Sequence, residues 1–256
     1  MSRLMDRFKL DDKVAVVTGA SFGLGYGMAE GFAEAGARIV AVSRNLENLS
    51  DIESAVQMQG RDCLPLACDV ADRSQVRAMV EKALDRFGRI DILVNNAGII
   101  KRAPAVDFSE TDWHTVLDVN LNGLWYCCQE VGRGMVAQKR GKIINIGSVL
   151  SFQGGILVPS YAAAKGALGQ LTQALANEWA ASGVNVNGIA PGYCATANTE
   201  ALRNDPDRSR AILSRIPAGR WGTPDDLKGA AVFLASDASD YVHGHLMVVD
   251  GGWLGR

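Results

Sequence analysis

The chain has 256 residues, enough to bury a sizeable core without disulfide staples, and its 26 lysines and arginines stand against 28 aspartates and glutamates. That balance argues against a protein held to nucleic acid by phosphate neutralisation, and 48% apolar with 21% charged residues is ordinary for a soluble globular protein. The 28 glycines follow no period, so they point to many tight backbone turns. Cys63, Cys68, Cys127, Cys128 and Cys194 include no CxxC pair and read as reduced thiols of a cytoplasmic protein. Met1 to Lys9 lacks the apolar segment of a secretory signal. The uncharged stretch Ile143 to Ala164 is broken by Gly147, Gly154, Gly155 and Pro159, so no membrane span is expected.

Short apolar runs, each followed by a longer helical pattern, recur along the chain: Val14 to Val17, Ile39 to Val42, Ile90 to Val94, Ile143 to Ile146, Val184 to Ile189 and Leu246 to Val249. Such runs between helices read as parallel strands covered on both faces. With no linker and no internal repeat, the alternation predicts one doubly wound (Rossmann) α/β domain over 1–256. Its sheet should be mostly parallel, of about seven strands, with helices on both faces.

The first run enters a glycine turn, Thr18 to Gly25, that opens a helix. Glycine lets backbone N–H groups approach a pyrophosphate, whose charge the helix N-terminus stabilises. The second strand ends in Ser43-Arg44-Asn45, without the acid that binds a ribose 2′-hydroxyl. Arg44 can accept a 2′-phosphate, which favours NADP(H), or it can stack on adenine, which leaves NAD(H) open. Ser109 with Asp112, and Thr223-Pro224-Asp225-Asp226, read as helix starts.

Ser148 ends the fifth strand, where it can hydrogen-bond a substrate oxygen on which charge develops. Tyr161 and Lys165 are four residues apart on one helix face, and a neighbouring ammonium favours a phenolate. Tyr161 can then exchange a proton with an alcohol. Taken singly, a tyrosine near a helix start is a packing residue and a serine after a strand forms a turn. Leu168, Leu171, Leu175 and Trp179 continue that helix as a core stripe. His114, His243 and His245 lack partners at metal-ligand spacing, so no metal is expected.

Thr18 to Gly25 matches T-G-x-x-x-G-x-G, Asn95-Asn96-Ala97-Gly98 matches N-N-A-G, and Tyr161 to Lys165 matches Y-x-x-x-K. Ser148 lies thirteen residues before Tyr161, and Pro191-Gly192 with Thr196 gives a P-G segment. This ordered set, spread over nearly the whole chain, resembles the short-chain dehydrogenase/reductase family. The resemblance implies catalytic roles for Ser148, Tyr161, Lys165 and Asn120, with Lys165 also on the nicotinamide ribose and Asn120 positioning a water. It implies a cofactor site of Gly19, Ser21, Phe22, Gly23, Leu24, Gly25, Ser43, Arg44, Asn45, Asp69, Val70, Asn96, Ala97, Gly98, Tyr161, Lys165, Pro191, Gly192, Cys194 and Thr196. Asp69, after the third strand, would face the adenine amine, and Phe22 stands where NADP-preferring relatives often add a basic residue.

Ser151 to Gly155, Ala190 to Thr199, Arg215 to Gly222 and Asp250 to Arg256 resemble the family's sugar-acid dehydrogenases. The implied reaction interconverts a secondary alcohol and a ketone on a small-molecule acid of the 2-deoxy-gluconate or 2-keto-3-deoxy-gluconate type. Arg102 for a carboxylate, Gln153 for a hydroxyl and Tyr193 are the candidate substrate residues, Arg102 being equally readable as a solvated loop residue. The mixed-charge stretch Leu202 to Arg210 is either a solvated helix or, within 193–213, a substrate lid. A 3-oxoacyl-carrier-protein reductase shares the catalytic set, and a sensor that binds NADP without turnover is the non-catalytic alternative. The resemblance implies a homotetramer, to which Gly166, Ala167, Gly169 and the tail around Trp253 could contribute. Trp253 could instead tuck into its own subunit.

Overall fold

Aliphatic runs set the strands, and the computed structural model, which describes residues 3–256, joins all of them in one sheet. Met1 and Ser2, the start of the N-terminal segment read above, lie outside the described residues. The strands are β1 (Val14–Thr18), β2 (Arg38–Ser43), β3 (Cys63–Ala67), β4 (Ile92–Asn95), β5 (Gly141–Ile146), β6 (Val184–Pro191) and β7 (Leu246–Val249). Their order is β3-β2-β1-β4-β5-β6-β7, and every neighbouring pair runs parallel.

The α-helices in chain order are α1 (Gly23–Glu34), α2 (Ser50–Met58), α3 (Arg73–Phe87), α4 (Glu110–Leu117), α5 (Gly123–Ala137), α6 (Pro159–Trp179), α7 (Glu200–Asn204), α8 (Pro206–Leu213) and α9 (Asp225–Ala235). Side chains of successive strand residues point to opposite faces, so each buried strand feeds two cores. Ala15, Val17, Ile39 and Ala41 meet α1, α2 and α9, whereas Val14, Val16, Val40 and Val42 meet α3, α5 and α6. The stripe of Leu168, Leu171, Leu175 and Trp179 packs in the second core as the spacing predicts.

Departures from the sequence expectations have local causes. The β3 run is short and interrupted by Pro65, which the sheet accommodates because β3 is an edge strand. β4 begins at Ile92 because Asp91 is an anchor: its buried carboxylate accepts from the Val14 N–H at 3.0 Å and pairs with Arg89. At α4 the Ser109 hydroxyl accepts from the Asp112 N–H at 3.1 Å, but the Asp112 carboxylate turns to Lys101 at 3.3 Å, so only half the capping box forms. Pro224 lies just before α9, and Asp226 in the first turn reaches back to accept from the Thr223 N–H at 2.7 Å. Trp253 is buried in its own chain against Val149, Ile212 and Ile216, the alternative in which it tucks into its own subunit. All five cysteines are free thiols, and among the described residues no helix is long and apolar enough to cross a membrane.

A buried polar chain ties the centre of the sheet to α6. Asn95 donates to Asn145 Oδ1 at 2.9 Å, Asn145 donates to Thr172 Oγ1 at 3.0 Å, and that hydroxyl donates to the Leu168 carbonyl at 2.8 Å. Removing the middle member strands the other two in a low-dielectric core. Asn145→Ala is therefore expected to lower unfolding free energy by about 2–4 kcal/mol, read from urea transitions. An unchanged midpoint would show that the chain adds nothing to stability.

Candidate active site

The strand order reverses between β1 and β4, and the carboxyl ends of the parallel strands there frame a crevice. Two cavities of about 340 and 360 Å³ occupy it and share walls at Leu24, Asn96, Gly98, Thr196 and Asn198. The first spreads over the ends of β1, β2 and β4, the second over β5 and β6.

The first cavity is built on the glycine turn. Gly19 and Gly23 adopt φ of +66° and +63°, and a Cβ on Gly25 would run into the Gly19 carbonyl and the Asn96 amide. Thr18 Oγ accepts from the N–H groups of Asn96 and Ala97 at 3.0 and 3.1 Å, and the Asn96 amide donates to the carbonyls of Thr18 and Gly19, each at 3.0 Å. These bonds lock the turn to the Asn95-Asn96-Ala97-Gly98 segment. No side chain caps α1, whose first-turn N–H groups are left for an anion.

Ser21, Phe22, Ser43, Arg44, Asn45, Asp69 and Val70 line the rest of this cavity. Ser43 Oγ donates to the Asn45 carbonyl at 2.6 Å, and the Asp69 carboxylate accepts from the Ala71 N–H at 3.0 Å. Gly25 is buried beneath the turn and supports it, while Pro191, Gly192 and Cys194 fall on the second cavity. A dinucleotide fits this arrangement: an uncapped helix end and a backbone no side chain could share suit its pyrophosphate.

Ser148, Tyr161, Lys165 and Asn120 all line the second cavity. Ser148 leaves β5 as the N-cap of a short turn, its hydroxyl accepting from the Leu150 N–H at 3.1 Å. Pro159 opens α6 and so places Tyr161 and Lys165 in its first two turns. The Lys165 ammonium donates to the Ile146 carbonyl at 2.6 Å and sits 5.6 Å from the Tyr161 ring centroid. Burial lowers the Lys165 pKa to about 8. Burial also holds the Tyr161 phenol above its ordinary value, against the opposing pulls of the Ser148 hydroxyl and the Arg102 charge. Desolvation thus outweighs both the Ser148 hydroxyl and the Arg102 charge.

Asn120 lies in a π-helical turn, Asp118–Asn122, between α4 and α5. Its amide nitrogen donates to the carbonyls of Ile99 and Val116 at 2.9 and 2.8 Å. Its buried oxygen has no partner, an acceptor available to a water or to a ligand hydroxyl. π turns of this kind accompany functional sites, but no sequence period announces them.

Arg102, Gln153 and Tyr193 also line the second cavity. Arg102 donates to the Asn198 carbonyl at 2.9 Å, joining the loop after β4 to the segment after β6. The Tyr193 ring packs 4.6 Å from Trp253 and 5.9 Å from Trp221, centroid to centroid. Trp253, Leu202, Arg208 and Arg215 are further lining residues that sequence reasoning did not assign. Their signal was the mixed-charge stretch and the apolar tail, neither of which indicates a direction. Among the described residues no group of histidine, cysteine and acidic side chains could hold a metal. His114 instead stands 3.7 Å from Glu110, and His243 Nε2 lies 3.2 Å from the Asn185 amide.

Residues 19–254 match a family model described as Enoyl-(Acyl carrier protein) reductase. The chain is 55% identical over 254 residues to a 2-dehydro-3-deoxy-D-gluconate 5-dehydrogenase of Pseudoalteromonas atlantica, covering 99% of this chain and 100% of that one. A 2-dehydro-3-deoxy-D-gluconate 5-dehydrogenase of Escherichia coli is 51% identical over 254 residues, with the same coverage. The crystal structure of a gluconate 5-dehydrogenase from Burkholderia cenocepacia, in complex with NADP and tartrate, superposes with a TM-score of 0.96 at 45% identity. It covers 99% of this chain and 100% of its own. The turn, the Asn-Asn-Ala-Gly segment and the Ser148–Tyr161–Lys165 cluster therefore sit in a member of the short-chain dehydrogenase/reductase family of oxidoreductases, to which this chain belongs.

Proposed function

We propose that the protein is an NADP(H)-preferring oxidoreductase that interconverts a secondary alcohol and a ketone on a sugar acid of the 2-keto-3-deoxy-gluconate type. The observation that carries this reading is the shared wall of the two cavities, which lets a nucleotide laid along the glycine turn end beside Tyr161 and Lys165. The sugar-acid relatives and the NADP and tartrate of the Burkholderia enzyme support the substrate class and the cofactor. The assembled Ser148, Tyr161 and Lys165 favour turnover over the role of a nucleotide sensor.

A nicotinamide cofactor held along the glycine turn would supply the hydride acceptor or donor and, when oxidised, a positive charge. Ser148 donates to the substrate oxygen and orients it toward the phenol. Tyr161 takes the alcohol proton in oxidation and returns it in reduction. Lys165, pinned by the Ile146 carbonyl, has remaining N–H groups for the nicotinamide ribose, and its charge favours the phenolate. The free oxygen of Asn120 holds a water through which protons reach solvent. In the first cavity, Arg44, beside Ser43, would hold the 2′-phosphate and Asp69 the adenine amine.

The 193–213 segment, with α7 and α8, serves as a lid tied down by Arg102 and braced internally by Arg203, which donates to the Thr196 carbonyl at 3.2 Å. The protein works as a homotetramer in the cytoplasm. Gly166 has open space above it and Gly169 meets only Leu246, so α6 offers a low face to a second copy. Light scattering tests the assembly.

Assay of 2-dehydro-3-deoxy-D-gluconate, D-gluconate, neutral polyols and 3-oxoacyl thioesters with each nicotinamide cofactor tests the reaction. Preference for the thioesters would overturn it. Tyr161→Phe is expected to cut turnover by more than ten-fold while leaving cofactor affinity within a few-fold. A residual rate above a tenth of wild type would remove Tyr161 from the proton step.

Arg44→Ala should weaken NADP by about 1.5–3 kcal/mol, the value of a charged hydrogen bond, and NAD far less. Equal losses for both nucleotides in a binding titration would mean that Arg44 only stacks on adenine.

Lys165 also sets a pH dependence. Its pKa falls from 10.5 when unfolded to about 8 when folded, so both states carry the proton below that window and the unfolded state alone carries it within. Wild-type stability therefore gains on this group's account as pH rises through the window. The melting temperature of wild type relative to Lys165→Met is expected to shift in wild type's favour between pH 7.5 and pH 10. A gap that does not move would mean that Lys165 titrates as it does in the unfolded chain.

A further inference from the structure

Most arginines outside the cavities face a carboxylate: Arg38 pairs with Asp12, Arg73 with Glu130, Arg140 with Asp237 and Arg220 with Asp226. Arg102, Arg208 and Arg215 do not, since no acidic side chain among the described residues lies within ion-pair distance of them. All three line the second cavity. With Lys165 its walls carry four cationic side chains and no aspartate or glutamate, in a chain whose net charge is −2. Such a concentration of one sign raises the local potential and draws anions.

Two of these guanidiniums are held in place. Arg102 is fixed through the Asn198 carbonyl, and Arg215 lies 3.9 Å from the centroid of the buried Trp253 ring. Stacking on an aromatic face leaves the guanidinium edge, with its paired N–H donors, free to meet a planar carboxylate. The charges of Arg208, Arg215 and Arg102 all reach the Tyr193 hydroxyl, each opposing the burial that raises its pKa, so the three converge on one region. Arg102 also acts on Tyr161.

We propose that Arg208 and Arg215 form a carboxylate clamp in the wall that α8 and the chain just beyond it give this cavity, reading the acid group of the substrate, with Trp253 as the residue that positions Arg215. The proposal rests on the sugar-acid reading above and adds the residues that select an acid over a neutral polyol. Both arginines belong to the chain between β6 and α9, at and just beyond α8, so an engaged carboxylate pulls this segment over the substrate. A bidentate guanidinium contact also fixes the distance from the acid group to the carbon presented to Tyr161.

The probes are D-gluconate and its neutral counterpart D-glucitol, added to the NADP-loaded protein and read by thermal shift. Gluconate is expected to stabilise wild type and glucitol not to. The double variant Arg208→Ala/Arg215→Met should lose the gluconate shift while keeping the shift caused by NADP, which serves as the control for folding. In turnover, kcat/KM on the sugar acid should fall about 10- to 100-fold, chiefly through KM, and by clearly more than the rate on a neutral alcohol. Gluconate stabilisation that survives in the double variant, equal shifts from gluconate and glucitol in wild type, or equal rate losses on acid and neutral substrates would each overturn the clamp. Should the double variant lose the NADP shift, Arg208→Gln and Arg215→Gln singly decide by the same readings. An arginine-dependent gluconate shift in an enzyme that oxidises no sugar acid would leave the clamp standing and refute the proposed reaction.

Discussion

The geometry of the site depends on how α6 is held against β5. Ser148 leaves the end of β5 and the Tyr161–Lys165 pair opens α6, so any slip between strand and helix separates hydroxyl from phenol. Two buried contacts oppose that slip: Lys165 on the Ile146 carbonyl at 2.6 Å, and Asn145 on the Thr172 hydroxyl at 3.0 Å. Apolar packing alone tolerates small translations, because its energy follows area and not direction. Hydrogen bonds in a dry core do not tolerate them, since a displaced donor or acceptor finds no water to replace its partner. Lys165, proposed above for the chemistry, is thus also a pin in the scaffold.

Burial makes that arrangement costly and useful together. Desolvation brings Lys165 down to about 8, within reach of neutrality, but holds Tyr161 above its ordinary value and away from it. Each further positive charge brought to the phenol acts in a low dielectric, where its effect is large. Arg102 already supplies one such influence through the cavity. A charged group that enters the pocket therefore alters the electrostatics of Tyr161 and Lys165 directly.

Much of this was legible in the sequence, for reasons that particular residues make clear. The alternating cores of β1 and β2 follow from aliphatic runs whose period is two, and the glycine turn follows from positive φ at Gly19 and Gly23. Tyr161 and Lys165 share a face because helix geometry fixes residues four apart. Other features had no local signal. β3 carries Pro65 and escapes an aliphatic search, Asn145 looks like any polar residue in a strand, and the unpartnered oxygen of Asn120 arises from a π turn. The direction in which Trp253 folds is a tertiary choice, set by the apolar hollow of Val149, Ile212 and Ile216.

That hollow explains why the chain terminus and the segment after β6 belong to one functional unit. Trp253 fills it from the end of the chain, Tyr193 covers the indole at 4.6 Å, and Arg215 lies over its ring at 3.9 Å. Ile212 from α8 shares the same cluster, so α8 cannot shift without disturbing the aromatic stack. The two parts of the chain that give this cavity its outer wall are therefore mechanically linked, while Ser148, Tyr161 and Lys165 are fixed independently through β5 and α6. The outer wall and the cluster of Ser148, Tyr161 and Lys165 thus rest on different parts of the fold, so a change in one need not displace the other.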